Sequence, residues 1–193
     1  MKKRHSYLCP GGVTACILAG GRGSRLGGID KGLAVLDKKY LIEHCIERIA
    51  PQVDHILISA NRNIATYSSL CEKVVSDTYG TFAGPLAGFL SGMVSANTRY
   101  LVTLPCDSPF IPQNLVSALS DPVVNHKADA SVAITNGKSQ PTFSFLTVSQ
   151  HNSLEQYLLS GNRKIITWLE GLGLEKVNFE KHLAFMNINT PED

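Results

Sequence analysis

The sequence predicts an α/β protein: a three-layer α/β/α sandwich on a mostly parallel sheet. Three observations predict it. Short continuous apolar runs of strand length alternate with longer amphipathic stretches. The runs Val13–Leu18 and His55–Ala60 are largely apolar at successive positions, the pattern of strands covered on both faces. Clusters rich in Gly, Asn and Asp follow several of these runs, at the strand ends where such sheets gather ligands.

Val13–Leu18 reads as the first strand. The stretch it feeds, Leu18–Leu33, holds six Gly among sixteen residues, with two Arg and one Lys. Glycine removes the Cβ that would block a close approach. Amides exposed in such a loop cradle phosphate oxygens, and the cations offset their charge. Tyr40–Ala50 spaces Leu41, Ile42, Cys45, Ile46 and Ile49 as one apolar helix face, with Pro51 just beyond. His55–Ala60 is a second strand, with Asn61-Arg62-Asn63 at its carboxyl end. A short helix over about 64–70 leads to Lys73–Val75, a strand ending at Ser76-Asp77. Thr78–Pro85 is a loop. Leu86–Ala96 is a helix whose Ala87, Gly88, Ser91 and Gly92 permit close packing, with Pro85 where a missing amide costs nothing. Arg99–Leu104 is a strand, Pro105–Pro112 a turn containing Asp107, and about 112–119 a helix. Ala130–Thr135 and Thr142–Leu146 are strands of a hairpin-like excursion around Asn136-Gly137. Helices over about 149–160 and 163–171 and a strand over Leu174–Asn178 complete the pattern.

The bulk properties limit what this fold does. A chain of 193 residues buries roughly 70% of its unfolded surface, enough for a core without staples. With 44% hydrophobic and 18% charged residues its composition is that of an ordinary globular domain. A net charge of +2 argues against a general nucleic-acid surface, so phosphate recognition is expected to be local. The five Cys include no CxxC pair, and none of the six His stand at i, i+4 spacing. That pattern fits reduced thiols and gives no disulfide framework or zinc knuckle. Lys2-Lys3-Arg4 resembles the basic start of a leader, but Pro10, Gly11 and Gly12 prevent an apolar segment behind it. No run of about 18 apolar residues spans a membrane. Residues 1–12 are expected to be a disordered tail, residues 13–193 a single domain, and the location cytoplasmic.

Two familiar phosphate motifs fail. The pattern G-x-x-x-x-G-K-S/T is absent, because Lys31 precedes Gly32. The dinucleotide pattern G-x-G-x-x-G begins at Gly21 and Gly23 but meets Leu26. What remains is L-A-G-G-x-x-x-R-L-G-x-x-K after a strand. It resembles the nucleotidyltransferases of the nucleotide-diphospho-sugar transferase fold, with its Rossmann-like sheet, and within them the molybdenum cofactor guanylyltransferases. The likeness runs through Leu18–Gly21, Arg25, Gly27, Asp30-Lys31-Gly32, Ser59–Arg62, Asp77, Gly84–Gly88, Cys106–Pro109 and Asn187–Pro191. Related cytidylyltransferases read A-A-G where this chain has Ala19-Gly20-Gly21. Gln140 stands where some relatives carry His.

The resemblance implies transfer of GMP from GTP to molybdopterin carrying molybdenum, with Mg2+ as cofactor. It implies Arg25, Lys31 and Asp107 as catalytic residues: Arg25 and Lys31 on the triphosphate, Asp107 as metal ligand. It implies nucleotide contacts at Leu18, Ala19, Gly20, Gly21, Lys31, Asn61, Asp77 and Asp107. Asn187, Asn189, Arg163 and Lys164 are candidates for the pterin side, as is Gln140. Cys106, with no His partner in view, reads as a small buried residue. Implied partners besides the two substrates are other cofactor-synthesis proteins, a GTP-binding adaptor, and apo-molybdoenzymes or their chaperones. Neither nucleic acid nor membrane is expected. Two rival readings stay open: a CTP-dependent or sugar-phosphate nucleotidyltransferase of the same fold, and a nucleotide-binding regulatory domain without turnover.

Overall fold

Val13–Leu18 forms the central strand, β1, and every residue from Val13 to Ile17 is buried. A strand with no wet face must have neighbours on both edges and helices on both faces. The strands that follow are β2 (Val35–Leu36), β3 (Lys39–Tyr40), β4 (His55–Ser59), β5 (Val74–Val75), β6 (Tyr100–Pro105), β7 (Ala130–Thr135), β8 (Lys138–Thr147) and β9 (Leu174–Asn178). The helices are α1 (Leu41–Ile49), α2 (Ile64–Leu70), α3 (Pro85–Ser95), α4 (Leu115–Val124), α5 (His151–Leu159) and α6 (Ile165–Glu170). The computed structural model describes residues 9–20, 30–77, 84–180 and 182–188.

A seven-stranded sheet runs in the order β5-β4-β1-β6-β8-β7-β9. β1 pairs in parallel with β4 and β6, β4 with β5, and β7 with β9. β8 alone runs against its neighbours. Successive β1 side chains divide between two cores. Val13, Ala15 and Ile17 join Ile42, Cys45 and Ile49 of α1, Tyr67 of α2, and Leu115 and Leu119 of α4. Cys16 joins Leu57 and Leu101 with Leu86 and Phe89 of α3, Leu154 of α5 and Trp168 of α6. The expected three layers are therefore present. Among the described residues no helix is long and apolar enough to cross a membrane.

α3 lies very close to the sheet. A Cβ at Gly88 would stand 2.7 Å from Leu18 Cδ2 and 2.8 Å from Ser59 Oγ. One at Gly92 would stand 2.8 Å from Cys16 Sγ and 3.1 Å from Cys16 Cβ.

Four differences from the sequence reading have physical causes. Residues 9–12, expected in a disordered tail, are packed: Cys9 is buried, and the carbonyls of Gly11 and Gly12 accept from Arg99 N and Tyr100 N. Burial of Cys9 and pairing with the chain entering β6 outweigh the glycine content. Residues 1–8 lie outside the described residues. α4 starts later, at Leu115, and continues past Leu119 through Pro122, because it buries Val123 in the core. β8 starts at Lys138, not Thr142: Asn136 and Gly137, at φ 49° and 72°, make the two-residue turn that Asn-Gly favours. The pairing register shifts between Val132 and Ala133. A bulge there fits Pro141, which cannot donate to a ladder. Finally, β2 and β3 form a small hairpin through Asp37 and Lys38, too short to show as a periodic pattern.

Gly92→Val is expected to lower stability by roughly 1–3 kcal/mol through overpacking against Cys16. Urea unfolding checks this: the midpoint falls while the m value holds. An unchanged midpoint would mean that α3 can back away from the sheet at no cost.

Candidate functional site at the strand ends

The parallel register brings four strand ends level. Leu18 is opposite Ser59 and Pro105, and Ser59 is opposite Val75. The chain leaving each strand is tied to its neighbour. Ala19 N donates to Ser59 O at 2.8 Å, Ala60 N to Val75 O at 2.9 Å and Cys106 N to Leu18 O at 3.2 Å. Residues 19–20, 60–63, 76–77 and 106–108 therefore emerge along one edge, as the sequence reading expected.

Two polar groups form there. In the first, Asn61 Nδ2 donates to Asp77 Oδ2 at 2.7 Å, and Asp77 N donates to Asn61 Oδ1 at 2.9 Å. Ser59 Oγ adds a longer bond to Asp77 Oδ1. Asn61 thus braces Asp77. Gly20 sits beside the pair, where a Cβ would stand 3.3 Å from Asn61 Nδ2. Ala19 is buried and Leu18 half-buried, so what they can offer a ligand is mostly backbone.

In the second group, Lys31 Nζ lies 3.2 Å from Asp107 Oδ2, joining residues 76 positions apart. Asp107 is 6% exposed, and its Oδ1 is buried with no hydrogen-bond partner among the described residues. An unmatched buried acceptor costs about 1–3 kcal/mol, more when charged. A hard cation is the ligand that such an oxygen favours. The donor chemistry therefore fits Mg2+. Among the described residues no cluster of three His, Cys, Asp or Glu surrounds it. The Asp107 turn is braced from behind. Asp107 O accepts from Ile188 N at 2.8 Å, and Ser108 Oγ donates to Asn187 Oδ1 at 2.8 Å. Cys45 Sγ donates to the carbonyls of Ser108 and Cys106 at 3.3 and 3.5 Å.

Sequence reasoning used Asp30 only as part of the family motif and gave it no chemical role. Its carboxylate is buried and well matched. Oδ1 accepts from Tyr67 OH at 2.6 Å and from Gly32 N at 3.3 Å. Oδ2 accepts from Asn63 Nδ2 at 2.9 Å and lies 3.6 Å from Arg62 Nε. Burial, and the bond to Asp30, push the Tyr67 phenol far above its ordinary range, so it stays a donor. The donors beyond Gly32 lie more than thirty residues along the chain, so no local pattern could have disclosed the cluster.

The other expected residues divide. Arg25 and Gly21 lie outside the described residues, as does Asn189. Gln140 bonds Thr135 Oγ1 within the β7–β8 hairpin. Arg163 donates to the carbonyls of Leu158 and Asn162 at the end of α5, and Lys164 leads into α6. Among the described residues neither touches the Asp107 group. Asn187 does reach that group, through Ser108. A cavity of about 350 Å³ opens at the opposite end of the strands, beside Thr14, His55 and Cys71. It contains neither Asp107 nor the Asn61–Asp77 pair.

The chain matches the MobA-like NTP transferase domain over residues 15–175. A molybdenum cofactor guanylyltransferase of Cupriavidus necator is 44% identical over 186 residues, covering 94% of each chain. One from Shewanella putrefaciens is 42% identical over 182 residues, covering 94% of this chain and 93% of its own. The crystal structure of molybdopterin-guanine dinucleotide biosynthesis protein A from Archaeoglobus fulgidus superposes with a TM-score of 0.77 at 25% identity, covering 93% of each chain. A nucleotidyl transferase from Methanothermobacter matches in fold, with a TM-score of 0.71 at 18% identity over 94% of each chain.

The thiols near Asp107 are not poised for attack. Burial pushes Cys45 up to about 12 and Cys106 well above its ordinary value. A raised thiol pKa leaves even less thiolate at neutral pH. Iodoacetamide at pH 7.5 is therefore expected to label half-buried Cys71 first. Mass spectrometry of the native protein checks this, and early labelling of Cys106 would contradict it.

Proposed function

The chain belongs to the MobA-like NTP transferase family, and from that premise we infer that it transfers GMP from GTP to the terminal phosphate of molybdopterin carrying molybdenum. The products are the guanine dinucleotide cofactor and pyrophosphate. The observation that best supports this reading in the molecule is the Lys31–Asp107 pair. It places a cation against a buried carboxylate with one unmatched oxygen, at the strand ends beside the glycine-rich loop.

The attacking group is a phosphate monoester. With a second pKa of about 6 it is largely dianionic at neutral pH, so it needs no protein base. Its oxygen bonds to the α-phosphorus of GTP. The bond from that phosphorus to its bridging oxygen breaks, and pyrophosphate leaves with the electron pair. Two polyanions must meet, so the protein supplies alignment and charge. Leu18, Ala19 and Gly20 run along the nucleotide by backbone. Asp77, held by Asn61, faces it beside Gly20. Lys31 exchanges its contact with Asp107 for the triphosphate and stabilises the leaving pyrophosphate, with Arg25 as the second clamp. Asp107 would hold Mg2+, which when bound would supply a hard positive charge to the phosphates. Asn187, on the Ser108 side of the turn, faces the incoming pterin substrate. Five free cysteines suit work in the reducing cytoplasm, where other cofactor-synthesis proteins deliver and collect the pterin.

A nucleotide panel tests the base. At a hundredfold excess over Kd, GTP with Mg2+ is expected to stabilise the protein by about 2.7 kcal/mol. Greater stabilisation by CTP with Mg2+ in a thermal melt would sink the guanine assignment. Point variants test the chemistry. Asp107→Ala should melt cooperatively yet release no pyrophosphate. Lys31→Ala should slow single turnover by roughly 10²–10³-fold, the usual loss when one charge-stabilising donor is removed.

A further inference from the structure

We propose that Asp30 is a positioning residue for Lys31: it pins the exit of the glycine-rich loop so that the Lys31 ammonium meets the phosphates beside Asp107. This rests on Lys31 as the triphosphate-binding cation.

The hydrogen bonds of Asp30 go to Gly32, Asn63 and Tyr67, so what it holds in place is the backbone on either side of Lys31. That backbone is a 3-10 turn, Lys31–Leu33, capped by the Asp30 side chain through Gly32 N. The same carboxylate takes hydrogen bonds from Asn63, which precedes α2, and from Tyr67 within α2. The turn is thereby fastened to a helix packed in the core. Its seat leaves little play. A Cβ at Gly32 would stand 2.6 Å from Tyr67 OH and 3.2 Å from Cys106 Sγ. The residue before Asp107 and the hydroxyl that holds Asp30 therefore both press on the residue after Lys31.

Burying a carboxylate is costly unless it is matched. Here the match is nearly complete, in contrast to Asp107 one strand away. A fully engaged buried carboxylate has little left for a ligand; its use is to set geometry. The flexible lysine is the member of the site that most needs this. Its long stem carries rotamer freedom that only a fixed origin can limit.

A double-mutant cycle tests the proposal, using pyrophosphate release in single turnover with GTP, Mg2+ and molybdopterin carrying molybdenum. Asp30→Asn keeps the size but turns one acceptor into a donor facing other donors. It is expected to slow turnover by about 10²-fold, the cost of a misplacement near 1 Å, with the KM for the pterin substrate unchanged. In a Lys31→Ala background the same change should slow turnover by no more than about twofold, because coupled residues are not additive. Tyr67→Phe, a milder change, carries the same cycle should Asp30→Asn fail to fold. Equal losses in both backgrounds, with Lys31→Ala itself impaired, would overturn the positioning role and leave the function intact. A Lys31→Ala enzyme with the wild-type rate would remove the phosphate role of Lys31, and the proposal with it.

Discussion

Burial of β1 on both faces is the constraint on which the structure depends. It requires a helix layer on each side and a strand on each edge. The parallel neighbours β4 and β6 then end level with β1. Every loop that leaves those ends is delivered to one edge of the sheet. The site is the consequence: chain segments far apart in sequence are tied by main-chain bonds such as Ala19 to Ser59 and Cys106 to Leu18. The approach of α3 serves the same end, because Gly88 and Gly92 let the helix settle directly on β1 and β4.

Two buried carboxylates divide the work at that edge. Asp30 is matched by hydroxyl, amide and guanidinium groups and holds the loop exit. Among the described residues Asp107 is matched on one oxygen only, by Lys31. The same side chain thus stands in two environments, fully matched at Asp30 and half-matched at Asp107. Burial favours the protonated form of the nearby thiols. Cys45 props the carbonyls of the Asp107 turn.

Much of this was legible in the chain. The apolar runs of β1 and β4, the small-residue face of α3 and the composition of the loop after Leu18 are local signals. The clusters at Asn61, Asp77 and Asp107 stood out because each follows a strand. Less legible were β2 and β3, the extension of α4 through Pro122, and the packing of residues 9–12. β2 and β3 are too short to show as a pattern, and in the other two burial or pairing with distant chain overrides local preference.

The sequence by itself determined the fold class, the sheet edge where the polar clusters gather and the family, because hydrophobic periodicity and motif order are properties of neighbouring residues. Only the tertiary structure decided which side chains meet. Asn61 is drawn to Asp77, Lys31 to Asp107, and Asp30 to Tyr67 across 37 residues. Those partnerships are set by strand register and by the closeness of packing around Gly32, and neither is encoded within any one stretch of chain.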